Sequence, residues 1–76
     1  SARNASASAD EFAKIVKKAP DKVKARLDCA RQLLRAGRNE EARVELEKCS
    51  RFKDSNLGTL DAVEKKEVDE ALKNLK

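Results

Sequence analysis

By residue type, Cys29 and Cys49 are the side chains of this sequence best suited to covalent chemistry. They do not form a Cys-x-x-Cys pair, so dithiol redox catalysis has no sequence support. Two thiolates also fall short of the four ligands a structural zinc site needs. Two readings remain: a disulfide between them, or a pair of small buried hydrophobes. A bridge needs Cα atoms about 4.4–6.8 Å apart. It would point to an oxidising compartment such as an organelle lumen, the intermembrane space, the periplasm or the exterior. Beyond the cysteines the chemistry thins quickly. The chain has no His, Tyr, Trp or Met and only two glycines, Gly37 and Gly58. It therefore lacks an imidazole base, a glycine-rich phosphate loop and any nucleophile–base pair. Its Asp and Glu residues fall at capping or exposed helical positions. The expectation is a protein that is not an enzyme, with no cofactor and no metal.

With 76 residues, of which 42% are charged and 39% apolar, the chain has room for one small domain. A domain of this size buries only about 60–65% of its unfolded surface, so its own core is marginal. No apolar run approaches the roughly 18 residues of a membrane span. There is no signal-peptide core either. The net charge of +4 is unevenly spread: residues 1–38 hold ten basic groups against four acids, and residues 39–76 hold eight against ten. A basic half can attract acidic protein, anionic lipid or nucleic acid, or can simply solvate outer helix faces. Nucleic acid is the least favoured of these partners. Single-strand binders stack bases on exposed aromatic rings, whereas Phe12 and Phe52, the only aromatics, fall on apolar helix faces.

The spacing predicts four helices and no strand. Residues 1–7 lack periodicity and read as a flexible tail, followed by one α-helical domain over residues 8–76. The small residues at the start would suit a chain left after removal of a targeting peptide, and an arbitrary boundary would look the same. Ser8 and Glu11 have capping-box spacing. Phe12, Ile15, Val16 and Ala19 then repeat as one helical face, and Pro20 ends the helix. A second helix runs from about Pro20 to Ala36 on Val23, Leu27, Ala30 and Leu34, widened by Leu33, and Gly37 closes it in the left-handed conformation. Asn39 caps a third helix whose buried side is Ala42, Leu46 and Cys49, with Phe52 at its edge. So short a break requires an antiparallel hairpin. It sets Cys29 and Cys49 at similar heights on neighbouring helices, which leaves both the bridge and the pair of buried thiols open. Residues 53–58 form a loop. Thr59 caps a last helix carrying Val68, Ala71, Leu72 and Leu75, joined less firmly by Leu60. Glu64 falls within that stripe, so the start of this helix is either exposed or paired with a basic group.

Shifting the chain by 34 residues pairs Ser8 with Ala42, Phe12 with Leu46 and Ile15 with Cys49, so the first helix reads as an earlier copy of the third. The order Ala30, Leu33, Gly37, Ala42, Leu46, Cys49 resembles one tetratricopeptide repeat (TPR), with Phe12 and Pro20 matching a preceding half repeat. The resemblance covers about residues 8–54 and departs from the family at three places. Arg26 stands where the family has a large aromatic, Asn39 replaces the turn tyrosine and Asp54 the second proline. Glu64 and Glu67 fall where Ala30 and Leu33 would recur, so the last helix is a cap rather than another repeat. The implied fold is all-α, a four-helix antiparallel hairpin array of about one and a half repeats plus that cap.

By that resemblance the chain is a non-catalytic protein-interaction module, a small accessory or scaffold subunit of a larger assembly. The family binds peptides along the first helix of each repeat, which here presents Lys24, Leu27, Arg31, Leu34 and Arg35. An acidic peptide with an apolar anchor would suit that surface, since arginine forks onto carboxylates and the leucines exclude water. The family's lysine–asparagine carboxylate clamp is not reproduced. A second reading is a lumenal extrinsic subunit of a photosynthetic or respiratory membrane complex, peripheral to the membrane through its partners. A third is a basic helical nucleic-acid binder, whose affinity would fall steeply with salt.

Overall fold

The computed structural model describes residues 2–19, 22–52 and 60–75. Within them lie four helices: α1 (Ala2–Lys18), α2 (Val23–Arg35), α3 (Asn39–Phe52) and α4 (Ala62–Asn74). There is no strand among the described residues, and the fold is all-α. The roles assigned above to Pro20, Asp54, the 53–58 loop, Gly58, Thr59 and the Phe52 side chain lie outside the described residues.

Helix α1 begins at Ala2, so residues 2–7 are helix rather than a tail. Ser8 is an interior position of that helix rather than its cap. Two contacts explain the longer helix. Ala5 is buried, and Arg38 donates to the Ser6 hydroxyl at 2.8 Å and to the Asp10 carboxylate at 3.0 Å. A sequence of Ala, Ser and Asn without a large apolar residue gives little periodic signal, yet tertiary contact selects helix for it.

Helix α2 is the centre of the molecule. It buries Val23, Arg26, Leu27, Cys29, Ala30 and Leu33, residues that point to several sides rather than to one stripe. One cluster joins Val23, Leu27 and Ala30 to Leu46 and Cys49 of α3 and to Leu60 and Val68 at α4. The other joins Cys29 and Leu33 to Ala9 and Val16 of α1 and to Ala42 of α3. Leu34 packs against both clusters and Phe12 against the second. Helix α1 runs antiparallel to α2, as does α3. Arg43 near the start of α3 donates to the carbonyl of Leu75 at the end of α4, 3.0 Å away, so those two helices are antiparallel as well.

The register of 34 places Ile15 of α1 level with the buried Cys49. In the structure Ile15 is 47% exposed, and α1 turns Ala5, Ala9 and Val16 inward instead. The difference comes from position in the array. α3 packs against both α2 and α4, whereas α1 packs extensively on α2 alone, so the rest of its circumference faces solvent.

The α2–α3 turn follows the sequence closely. Gly37 has φ +75°, its N–H donates to the Leu34 carbonyl, and the N–H of Arg38 donates to that of Leu33. This is the paired arrangement that satisfies the last carbonyls of a helix. A Cβ at Gly37 would meet nothing within 4 Å, so only the backbone conformation demands glycine. Gly37→Ala is therefore expected to lower stability by about 1–2 kcal/mol, measured by denaturant unfolding. Gly37→Asn should cost less. α4 is capped by Asp61, whose carboxylate accepts from the Glu64 N–H at 2.8 Å while Glu64 accepts from the Asp61 N–H at 2.9 Å. The cap thus falls two residues beyond Thr59, because Leu60 is drawn into the core ahead of the helix.

Candidate interaction site at the α2–α4 seam

The residues expected to form a peptide surface on α2 do lie along one edge of that helix, but α4 already sits against it. Leu27 is buried at 1% exposure in the cluster shared with Val68, so it is not available to a partner. Arg31 forks onto Glu67, with Nε–Oε2 at 2.8 Å and Nη2–Oε1 at 2.6 Å, and its Nη1 also reaches Asp28 at 2.8 Å. Lys24 pairs with Glu64 at 3.6 Å, so of the two alternatives for the start of α4 Glu64 takes the basic partner, while Val63 beside it is exposed. Leu34 is half-buried and Arg35 is exposed. The surface read as open is thus largely a seam. The spacing Lys24, Leu27, Arg31, Leu34 follows one edge of the helix, but periodicity cannot say whether solvent or another helix of the same chain covers that edge.

The electrostatics of the seam follow from the fork. The hydrogen bond from Arg31 holds the Glu67 carboxyl below its ordinary value of 4.5, against a smaller opposing effect of burial. The same bond raises the Arg31 guanidinium. A carboxylate depressed in the folded state contributes stability that is full above its unfolded pKa and is lost as pH falls through the folded one. The attachment of α4 is therefore expected to be intact at neutral pH and to weaken progressively below pH 4.5. Amide chemical shifts of α4 during acid titration would follow this. Glu67→Gln should remove this acid dependence of the α4 attachment, whereas Glu41, which Arg38 depresses in the same way, acts at the α2–α3 turn and not at α4.

Arg26, in the place where the resembled family has an aromatic, is buried at 5% and pairs with Glu45 of α3 at 3.0 Å. Nothing in the apolar periodicity announced this pair. A basic residue at an otherwise apolar position of a central helix was the available signal. Arg38 forms a second unanticipated cluster, gathering Asp10, Ser6 and Glu41. Beside it a groove of about 230 Å³ runs between α1 and α3, floored by Cys29 and Leu33 and walled by Ala9, Ala13 and Val44. Its charged end is internally satisfied by the Arg38 pairs.

Cys29 and Cys49 are free, buried thiols rather than a disulfide. Cys29 Sγ donates towards the Ala9 carbonyl at 3.6 Å in the α1 cluster, and Cys49 Sγ towards the Val23 carbonyl at 3.9 Å in the α4 cluster. The similar height inferred from the hairpin is not enough, because the two side chains serve different sides of α2. Burial, with a smaller push from Glu45, raises Cys29 to about 11, and burial raises Cys49 to about 12. Since the thiolate is the reactive form, both should resist a disulfide-exchange reagent at neutral pH and react fully on denaturation. Intact mass after alkylation should be the same with and without reductant.

Among the described residues no cluster of three or more His, Cys, Asp or Glu could hold a metal ion, and no helix is long and apolar enough to cross a membrane. Comparison with known protein families, curated proteins and solved structures found no match.

Proposed function

We propose that this chain is a non-catalytic protein-interaction module, a small accessory or scaffold subunit built on a TPR-like hairpin. The observation that carries this reading is the seam itself. The α2–α3 hairpin offers an apolar trough with cationic groups at its margins, and it holds an acidic amphipathic helix through the fork of Arg31 on Glu67. Support for the TPR-like architecture comes from Ala30 and Ala42. Both are fully buried at the positions where small residues let antiparallel helices approach, next to the left-handed Gly37.

Sedimentation of the tagged protein in a gentle native extract tests the reading. A module of this kind migrates in a larger particle with defined neighbours. Arg31→Glu with Arg35→Glu should release it while leaving helicity intact by circular dichroism. Migration near 8.4 kDa without a co-migrating protein would overturn the assignment. Retention of the double variant in the particle would move the interaction surface elsewhere.

A further inference from the structure

Helix α4 differs from the other helices in how it is held. Within the helix, only Val68 is buried; Ala71, Leu72 and Leu75 are partly covered and Val63 is 77% exposed. Its polar ties are partly accessible to water: the Arg31 and Glu67 side chains keep 36% and 39% exposure, and Lys24 keeps 62% against 16% for its partner Glu64. Pairs of this kind contribute little in water and are screened by salt. The helix also carries its own start signal, the reciprocal Asp61–Glu64 cap, which is local and does not depend on the seat.

The seat has a definite chemistry. Without α4, Val23, Leu27, Ala30, Leu46 and Cys49 would line an apolar trough shared by α2 and α3. Lys24 and Arg31 stand on the α2 side, and Arg43, which donates to the Leu75 carbonyl, on the α3 side. α4 shows what fits: carboxylates at Glu64 and Glu67, three apart, then apolar residues at Val68, Ala71 and Leu72.

We propose that this trough is a receptor for an acidic amphipathic helix of a partner protein, and that α4 is its competitor in cis, displaced when the partner binds. The proposal rests on the interaction-module reading and specifies the partner: a helix with two carboxylates three residues apart, followed by an apolar stripe at i, i+3, i+4. Because α4 is tethered, it competes at a high effective concentration. Partner affinity is reduced by the fraction of molecules whose seat is closed.

Hydrogen exchange of the wild-type chain reads the first half of the proposal. Amides of α4 should exchange at least ten-fold faster than those of α2, through an opening that leaves α2 and α3 protected. Equal protection would show that α4 does not leave by itself. That would overturn the cis competition without touching the interaction-module reading.

The second half is read with a fluorescein-labelled peptide of residues 60–75, titrated against the full chain. Val68→Asp, which weakens α4 in its seat, should raise peptide affinity at least ten-fold over wild type. Adding Arg31→Glu should abolish the gain, and a peptide carrying Glu67→Lys should restore it. A Val68→Asp chain that keeps its helicity yet binds no more tightly would overturn the proposal. Release of α4 by exchange with no peptide binding in any variant would instead remove the trough as an interaction site, and the module reading at this surface with it. A concentration-dependent doubling of mass on sedimentation would show that a second copy's α4 fills the trough, overturning the assignment to a different protein.

Discussion

Leu46→Ala should lower the stability of this fold by about 2–5 kcal/mol, the range for truncating a buried leucine. Leu46 is 1% exposed and sits with Val23 and Leu27 of α2, Cys49 of its own helix, Leu60 and Val68. It therefore joins three helices, and the cavity left by its removal cannot close without moving one of them. Stabilities of single domains are about 5–15 kcal/mol in total, and a chain of 76 residues falls toward the lower end. The variant should thus show a large fall in denaturation midpoint, with partial unfolding at physiological temperature within reach. Ile15→Ala is the matching control. The two positions lie on faces that sequence alone treats as equivalent, but Ile15 is 47% exposed, and its truncation should cost less than about 1 kcal/mol. Equal losses at both sites would contradict the packing described here.

The second large effect concerns Arg26 and Glu45. Removing one partner of a buried ion pair typically costs about 3–5 kcal/mol, because the remaining charge keeps its desolvation penalty. The charge left behind by Glu45→Ala is Arg26, which is 5% exposed. Glu45 stands at the open side with 17% exposure and its truncation admits water to the guanidinium, so the loss is expected near the lower end, at about 3 kcal/mol. Replacing both residues by leucine should recover most of that loss, since well-packed apolar side chains often match a buried pair. Denaturant unfolding of the two single variants and the double variant gives the coupling directly. A Glu45→Ala chain within about 0.5 kcal/mol of wild type would show that the pair has no such role. The hairpin is thus held between α2 and α3 by a buried charge pair as well as by apolar packing.

Sequence alone determined the all-α class, the four helices and the hairpin between α2 and α3. Those features are local. The apolar spacing of Val23, Leu27 and Ala30, the buried series Ala42, Leu46 and Cys49, and a glycine at a turn that needs positive φ each act over a few residues. Tertiary structure alone decided the rest, and each case has a physical reason. The start of α1 at Ala2 depends on Ser6 and Asp10 meeting Arg38, some thirty positions away. Ile15 stays in water because α1 has no second helix against that face. Cys29 and Cys49 remain thiols because α2 divides the core between them. Arg31, which by spacing could equally face a partner, is held by Glu67 because α4 folds back along its edge. Helical periodicity records which side of a helix is apolar, and only the packed chain determines which neighbour that side meets.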